Sequence, residues 1–132
     1  MADGRLVRTI VYDTGALLAA ERRDADFLAL HDDVTGSQVQ PIVPVVVLAQ
    51  AWRGGPQHGL SRTLKACDVL PDDEHIGRAA GVICASSGTC DVVDAIVLAM
   101  AVRHQAPIVT GDPGDLTRLA AAIGVKVRLF AV

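Results

Sequence analysis

The chain has 132 residues and a formal net charge of −3, and 51% of its residues are hydrophobic while only 3% are aromatic. This length predicts one domain over residues 1–132, and the aliphatic composition favours a sheet covered by helices over an all-β sandwich. The charge is not that of a strongly basic nucleic-acid-binding protein, and no run of 18 apolar residues predicts a transmembrane helix, so no membrane association is expected.

Hydrophobic patterning predicts that strands and helices alternate in the first half of the chain. The predicted elements are, in order, a strand over 7–12, helices over 16–20 and 24–34, a strand over 39–43, and a helix from Pro44 to Trp52. Proline suits the first position of a helix, and Gly54-Gly55-Pro56 is expected to end this one.

The second half of the chain continues the same alternation. The predicted elements are a helix over 61–66, a strand over 67–70, a helix capped by Asp72 or Asp73 that runs to about residue 85, a helix over 91–104, a strand over 107–110, a helix over 116–123 and a strand over 125–130. Such an order predicts an α/β fold in which a central parallel sheet is flanked on both faces by helices.

Four aspartates fall near the ends or beginnings of these elements. Asp13 directly follows the first strand, and Asp112 follows the 107–110 strand after one glycine. Asp94 lies at the start of the long helix, with Asp91 one turn before it. Open parallel sheets bind ligands outside the carboxyl ends of their strands, so these side chains are expected to meet there. The alternative role for each of them is to cap a helix N-terminus.

Carboxylates that converge from different elements indicate a particular chemistry. A hard cation such as Mg²⁺ prefers oxygen ligands and keeps several waters, so two or three carboxylates are sufficient to bind it. A bound ion of this kind activates water and polarises a phosphoryl oxygen, which would support phosphodiester hydrolysis without a covalent intermediate.

Four motifs, in order along the chain, resemble those of a known family. Residues 11–17, 91–95 and 108–116 resemble the three acidic motifs of PIN domains, and residues 48–53 resemble a helix typical of VapC toxins. The resemblance implies a PIN-like three-layer α/β domain and a Mg²⁺- or Mn²⁺-dependent endoribonuclease that is the toxin of a toxin–antitoxin pair.

Individual residues can be matched to these motifs. The resemblance implies that Asp13, Asp94 and Asp112 are catalytic metal ligands, and that Asp91 and Asp115 are additional acids of the metal site. It also implies that the hydroxyl groups of Thr14 and Thr110 position a ligand or a phosphate.

Gln50 departs from the family pattern. Similar proteins usually carry a glutamate on the helix after the second strand, and this position holds Gln50. Its amide offers a carbonyl oxygen but no charge, so a second interpretation stays open: a catalytically weakened PIN-like module that binds RNA or protein. Glu21 is not expected to substitute, because it lies about two turns along its helix from Asp13, on the order of 11 Å.

Contacts with an RNA substrate would have to come from local basic groups. The candidates are Arg22, Arg23, Arg53, Arg62, Lys65, Arg103 and Arg118, and the alternative for each is scattered solvent-exposed charge. Arg53 is the preferred candidate, because it lies three residues beyond Gln50 on what is predicted to be the same helix face.

The predicted helix from Pro44 to Trp52 is apolar nearly all round, which is more than one core-facing side needs. Simple burial and pairing with another chain both remain open as explanations. The resemblance favours pairing, because it implies a homodimer that is bound by the C-terminal segment of a cognate antitoxin.

The cysteines and the N-terminus carry the remaining predictions. Cys67, Cys84 and Cys90 form no CxxC pair, so they are predicted to be small core residues in reduced form. The first apolar run is too short for a signal peptide. Both features predict a cytoplasmic protein.

Overall fold

The computed structural model describes residues 7–88 and 91–132 and contains a five-stranded sheet in which every neighbouring pair is parallel. The strands, in chain order, are β1 (Thr9–Tyr12), β2 (Gln40–Pro44), β3 (Asp68–Leu70), β4 (Ile108–Thr110) and β5 (Leu129–Ala131). Their spatial order is β3-β2-β1-β4-β5. The predicted α/β fold with a central parallel sheet is therefore confirmed.

Helices within the described residues form two packed groups. They are α1 (Thr14–Glu21), α2 (Ala25–Gly36), α3 (Val45–Ala51), α4 (His58–Leu64), α5 (Glu74–Ser87), α6 (Val92–His104) and α7 (Pro113–Ala122). Helix α1 contacts α2, α3 and α4, whereas α5, α6 and α7 contact one another. Because crossovers between parallel strands are right-handed, the two groups cover opposite faces of the sheet and complete three layers.

The direction in which the sheet is built reverses between β1 and β4. The chain first adds β2 and β3 on one side of β1, and then returns to add β4 and β5 on the other side. In open α/β sheets such a reversal leaves a crevice at the carboxyl ends of the two central strands. Here those ends are followed by Asp13 and Asp112, whose loops therefore begin side by side.

Two glycines allow these loops to approach each other. A Cβ atom added to Gly15 would lie 2.7 Å from both the Cα and the backbone N of Gly111. Real Cβ atoms essentially never come this close to backbone. The start of α1 and the loop after β4 are therefore in direct backbone contact at the edge of the sheet.

Helix α6 accounts for much of the apolar composition. Its residues 95–101 are all buried, because it packs on β1, β2 and β4 while also contacting α5 and α7. No single helix in the described ranges is long and apolar enough to cross a membrane, and α5 and α6 meet that length and composition only as a bent pair.

Several predicted element boundaries were wrong, including that of α7, which begins at Pro113 and not at residue 116, and two of the differences have identifiable reasons. Helix α4 begins at His58, not at residue 61, and includes Gly59, a poor helix former. A Cβ at Gly59 would lie 2.4 Å from the carbonyl oxygen of Ala20, so packing against α1 selects glycine there. The last strand begins at Leu129, not at residue 125, because β4 is short and its three residues pair with Leu129–Ala131.

The remaining early predictions concern helix α3 and the cysteines. Helix α3 ends at Ala51, and Trp52 already has an extended conformation. Cys67 and Cys84 are free and partly buried, whereas the prediction for Cys90 lies outside the described residues.

Candidate metal centre at the carboxyl edge of the sheet

A pocket of about 320 Å³ lies where β1 and β4 end. It collects side chains from the starts of α1, α6 and α7 and from the last turn of α3. The residues that line it are Asp13, Thr14, Gly15, Gln50, Asp91, Val93, Asp94, Gly111, Asp112 and Asp115. The structure therefore brings together all five aspartates that the sequence singled out, although they are spread over about a hundred positions of the chain.

Three of these aspartates also cap helices. The carboxylate of Asp13 accepts a hydrogen bond from Ala16 N at 2.9 Å at the start of α1. Asp91 caps α6 through Asp94 N at 3.0 Å, and Asp112 caps α7 through Asp115 N at 3.3 Å. Capping and a place in the pocket are thus not alternatives here, because one carboxylate has enough acceptor sites for both.

The hydroxyl group of Thr110 forms hydrogen bonds with two of the acidic residues. Thr110 is fully buried at the end of β4, and its Oγ1 accepts a hydrogen bond from Asp112 N at 2.8 Å. The same hydroxyl bonds the carboxylate of Asp13, which requires it to donate there. Burial raises the pKa of Asp13, and hydrogen bonds from Thr110 and from the backbone of Ala16, Gly111 and Gly15 lower it again in part.

Among these aspartates, Asp94 has the least favourable environment for a negative charge. Its pKa is raised to about 7, chiefly by burial, and also by the charge of Asp91, a side-chain hydrogen bond with Asp91, and the charges of Asp13 and Asp112. Carboxylates that repel one another in this way gain a stabilising partner when a divalent cation is present. The donor set, made of oxygens only, fits Mg²⁺ or Mn²⁺.

The carboxylates face a common space without closing on one point. Across residues 7–88 and 91–132, no three histidine, cysteine or acidic side chains form a ready-made metal cage. This openness suits a cation that keeps several of its waters, since such an ion needs only one or two direct carboxylates and reaches others through water.

Gln50 reaches the pocket from the last turn of α3. Its Oε1 accepts a 2.5 Å hydrogen bond from the hydroxyl of Thr14. The N-terminus of α3 is held by Asp72, whose carboxylate accepts from Val46 N at 3.2 Å and so caps the helix from a different segment. The Gln50 side chain is thus held by Thr14 but carries no charge.

Arg53 does not lie where the sequence placed it. It follows the end of α3, so it does not share a helix face with Gln50. Its Nη1 donates to the carbonyl oxygens of Ala49 and Trp52 at 3.2 and 2.7 Å, which satisfies the C-terminus of the helix. Within the described part of the chain, Arg53 is not among the residues that line the pocket.

A search against family models matches the PIN domain over residues 10–122, which is most of the chain and spans every strand except β5. The chain belongs to the PIN domain family. PIN domains are typically nucleases, and they generally use divalent metals. No curated protein matches the sequence significantly.

Solved structures of similar PIN-like chains share the fold at low sequence identity. VapBC2 of Rickettsia felis, bound to a DNA fragment from its promoter, matches with a TM-score of 0.73 and 12% identity, over 94% of this chain and 98% of that one. A toxin–antitoxin complex of Klebsiella pneumoniae matches with a TM-score of 0.68 and 17% identity, over 93% and 99% of the two chains. FitAcB of Neisseria gonorrhoeae gives 0.66 and 16%, over 92% and 96%.

Proposed function

We propose that this PIN domain is a Mg²⁺- or Mn²⁺-dependent endoribonuclease in which Asp13, Asp94 and Asp112 bind the metal and Asp91 and Asp115 assist. The observation that carries the proposal is the convergence of these acids at the reversal point of the sheet, where burial and then the neighbouring acids raise the pKa of Asp94 to about 7. A fold without a cation would gain nothing from such repulsion.

The residues of the pocket have different roles, which follow from their chemistry. A bound divalent ion supplies activation of water and polarisation of a phosphoryl oxygen. Asp13 and Asp112 are held in fixed orientations by the helix-capping bonds and by Thr110, so little reorganisation is needed when a substrate arrives. Thr14 and Gln50 form the polar wall on the side of α1 and α3 and orient a phosphate there.

The direct test is cleavage of a structured RNA with Mn²⁺, with EDTA and with the Asp13→Asn variant. Asparagine still accepts the bond from Ala16 N, so the variant should fold while losing a charged ligand. We expect cleavage only by the unaltered protein with Mn²⁺, measured on gels as the rate of RNA loss. Equal cleavage by the variant would indicate a contaminating nuclease and would contradict the proposal.

We further propose that the protein is the toxin of a toxin–antitoxin pair that acts in the cytoplasm as a homodimer. The support is the similarity to chains taken from toxin–antitoxin complexes, together with apolar side chains left exposed around α3. Val45 and Trp52 are 44% and 41% exposed, although simple burial would have covered them. An antitoxin segment or a second copy would cover this surface.

A second candidate function is a PIN-like binding module with weakened catalysis. Gln50 favours it, because an uncharged amide replaces the acid expected on α3, and Thr14 already occupies its carbonyl oxygen. The two functions separate in the cleavage assay, because a binding module would hold RNA or a protein partner without cutting.

Gln50→Glu should therefore tighten Mn²⁺ binding, since it adds a negative charge to the proposed metal site. We expect about a tenfold lower Kd, equivalent to ~1.4 kcal/mol, by isothermal titration calorimetry. Gln38→Glu is the matched control, because it adds the same charge on an exposed residue that precedes β2 at the opposite edge of the sheet. An unchanged Kd in Gln50→Glu, or equal tightening in both variants, would remove Gln50 from the metal site.

A further inference from the structure

A second pocket of about 240 Å³ opens beside the acid pocket. Asp91, Asp94 and Asp115 line both pockets, so the two are adjacent. The remaining walls of the second pocket come from the end of α5 and one face of α7, namely Ser86, Ser87, Arg118, Leu119 and Ala122. Gln50 and Thr14, which line the acid pocket, do not line this second one.

Arg118 places one positive charge in the second pocket, beside the three aspartates that this pocket shares with the first. Within the part of the chain that the structure describes, Arg118 is the only cationic side chain that lines either pocket. Its Nη2 forms an ion pair with Oδ1 of Asp115 one turn earlier on α7. A guanidinium has five N–H donors in a rigid fork, so this pair leaves donors for a second anion.

Hydroxyl groups complete the wall that faces Arg118. Ser87 donates its one hydroxyl proton to the carbonyl oxygen of Cys84 at 3.3 Å, so the hydroxyl available to donate to an anion is that of Ser86, which is exposed and lines the same pocket. Serine hydroxyls and arginine are the usual partners of phosphate oxygens in nucleic-acid complexes, where they set the register of the strand and not its sequence.

We propose that Arg118, with the hydroxyl of Ser86, forms a subsite for the backbone phosphate next to the one cleaved at the acids. The inference rests on the proposed nuclease function and names the substrate class of the subsite, a single-stranded RNA backbone. Arg118 holds the strand while the acids act on the neighbouring linkage. It also offsets the negative charge that the acid pocket presents to an approaching phosphodiester.

The experiment measures binding of a fluorescein-labelled 12-nucleotide single-stranded RNA by anisotropy, at constant Mg²⁺ and several salt concentrations. All proteins carry Asp94→Asn, so that the RNA is not cut. We expect Arg118→Gln to weaken binding about three- to tenfold, and to lower the slope of log K against log salt by about 0.7, the value for one phosphate contact with a single strand.

Arg78→Gln is the matched control. Arg78 forms an ion pair with Glu74 within α5, as Arg118 does with Asp115 within α7, and the two arginine side chains are 79% and 72% exposed. Both variants lose one positive charge on an exposed helix, but Arg78 does not line either pocket. Equal effects of the two substitutions would mean that only net charge matters and would overturn the subsite.

Loss of Arg118 also exposes the charge of Asp115, so the substitution is repeated on an Asp115→Asn background. If the guanidinium contacts RNA, the loss persists there, and if it only masks Asp115, the loss disappears and the proposal is overturned. Failure of the nuclease function is separate: then the protein with Asp94 intact would leave this RNA uncut, whether or not it binds it, and the subsite, which rests on that function, would be rejected with it. Normal cleavage with no difference between Arg118→Gln and Arg78→Gln would reject the subsite alone.

Discussion

Replacing Asp94 with asparagine should abolish metal-dependent RNA cleavage and, at the same time, stabilise the metal-free protein at pH 8. Both effects have one cause, since the charge that attracts a cation is held in an unfavourable environment created by burial and by Asp91, Asp13 and Asp112. Loss of a metal ligand removes several kcal/mol of transition-state stabilisation, so we expect the cleavage rate to fall at least about a hundredfold.

The pH dependence of folding stability follows from the direction in which the pKa of Asp94 is shifted. The pKa of Asp94 is about 7 in the folded protein and 3.8 in a free aspartate, so the folded state holds its proton more tightly. The contribution of Asp94 to the free energy of unfolding is fully present below about pH 4 and is lost as the pH rises through 7. Because the side chain is only half buried, solvent screening reduces the effect to on the order of 1 kcal/mol.

Urea unfolding at pH 5 and pH 8, with and without Mn²⁺, measures this prediction. The unaltered protein should be less stable at pH 8 than the Asp94→Asn variant without metal, and Mn²⁺ should stabilise only the unaltered protein. Asp26→Asn, an exposed acid in the first turn of α2, is the control for loss of a charge outside the pocket. A variant that is destabilised at pH 8, or that still cleaves RNA, would contradict the assignment of Asp94.

Gly15→Ala should damage both folding and activity, although it adds a single methyl group. The new Cβ would lie 2.7 Å from the backbone of Gly111, and neither backbone can yield as a flexible side chain would. Overpacking of this kind costs about 1–3 kcal/mol. The relief would come from separating the loops that carry Asp13 and Asp112, so Mn²⁺ affinity should fall as well.

Gly81→Ala tests whether the effect belongs to the contact and not to the loss of a glycine. Gly81 lies in the middle of α5, and nothing lies within 4 Å of an added Cβ. Alanine there should stabilise the protein by up to about 1 kcal/mol, because it favours the helix. Thermal unfolding and Mn²⁺ titration of both variants decide the matter, and a Gly15→Ala protein as stable as Gly81→Ala would refute the close contact.

The order of elements and the meeting of the acids could be predicted from sequence, because both follow from local rules. Alternating strands and helices imply a parallel sheet, and Asp13 and Asp112 directly follow two of its strands. Whether those two strands are neighbours depends on topology, and the sequence supplied this only through the resemblance to PIN domains. The structure provides it as the pairing of β1 with β4.

What the sequence missed are features that depend on contacts between distant segments. The helix predicted over 61–66 leaves out Gly59, because the contact that selects glycine there, with the carbonyl oxygen of Ala20, cannot be read from the local sequence. Arg53 was placed on a helix that ends two residues earlier. Arg118 stood among seven basic candidates, and nothing in its local sequence distinguishes it, since its significance comes from α5 and α6 on the other walls of its pocket.

The helix-capping bonds of Asp13, Asp91 and Asp112 bear on how such sequences diverge. A descendant that had lost cleavage would still need an oxygen acceptor at these three positions, and asparagine would serve as well as aspartate. The presence of aspartate at these three positions is therefore weak evidence that a protein cleaves RNA. Asp94 differs, because the fold alone would be better without its charge. In proteins that have lost cleavage, the residue at the position of Asp94 should be the first to change, and this chain still carries the acid.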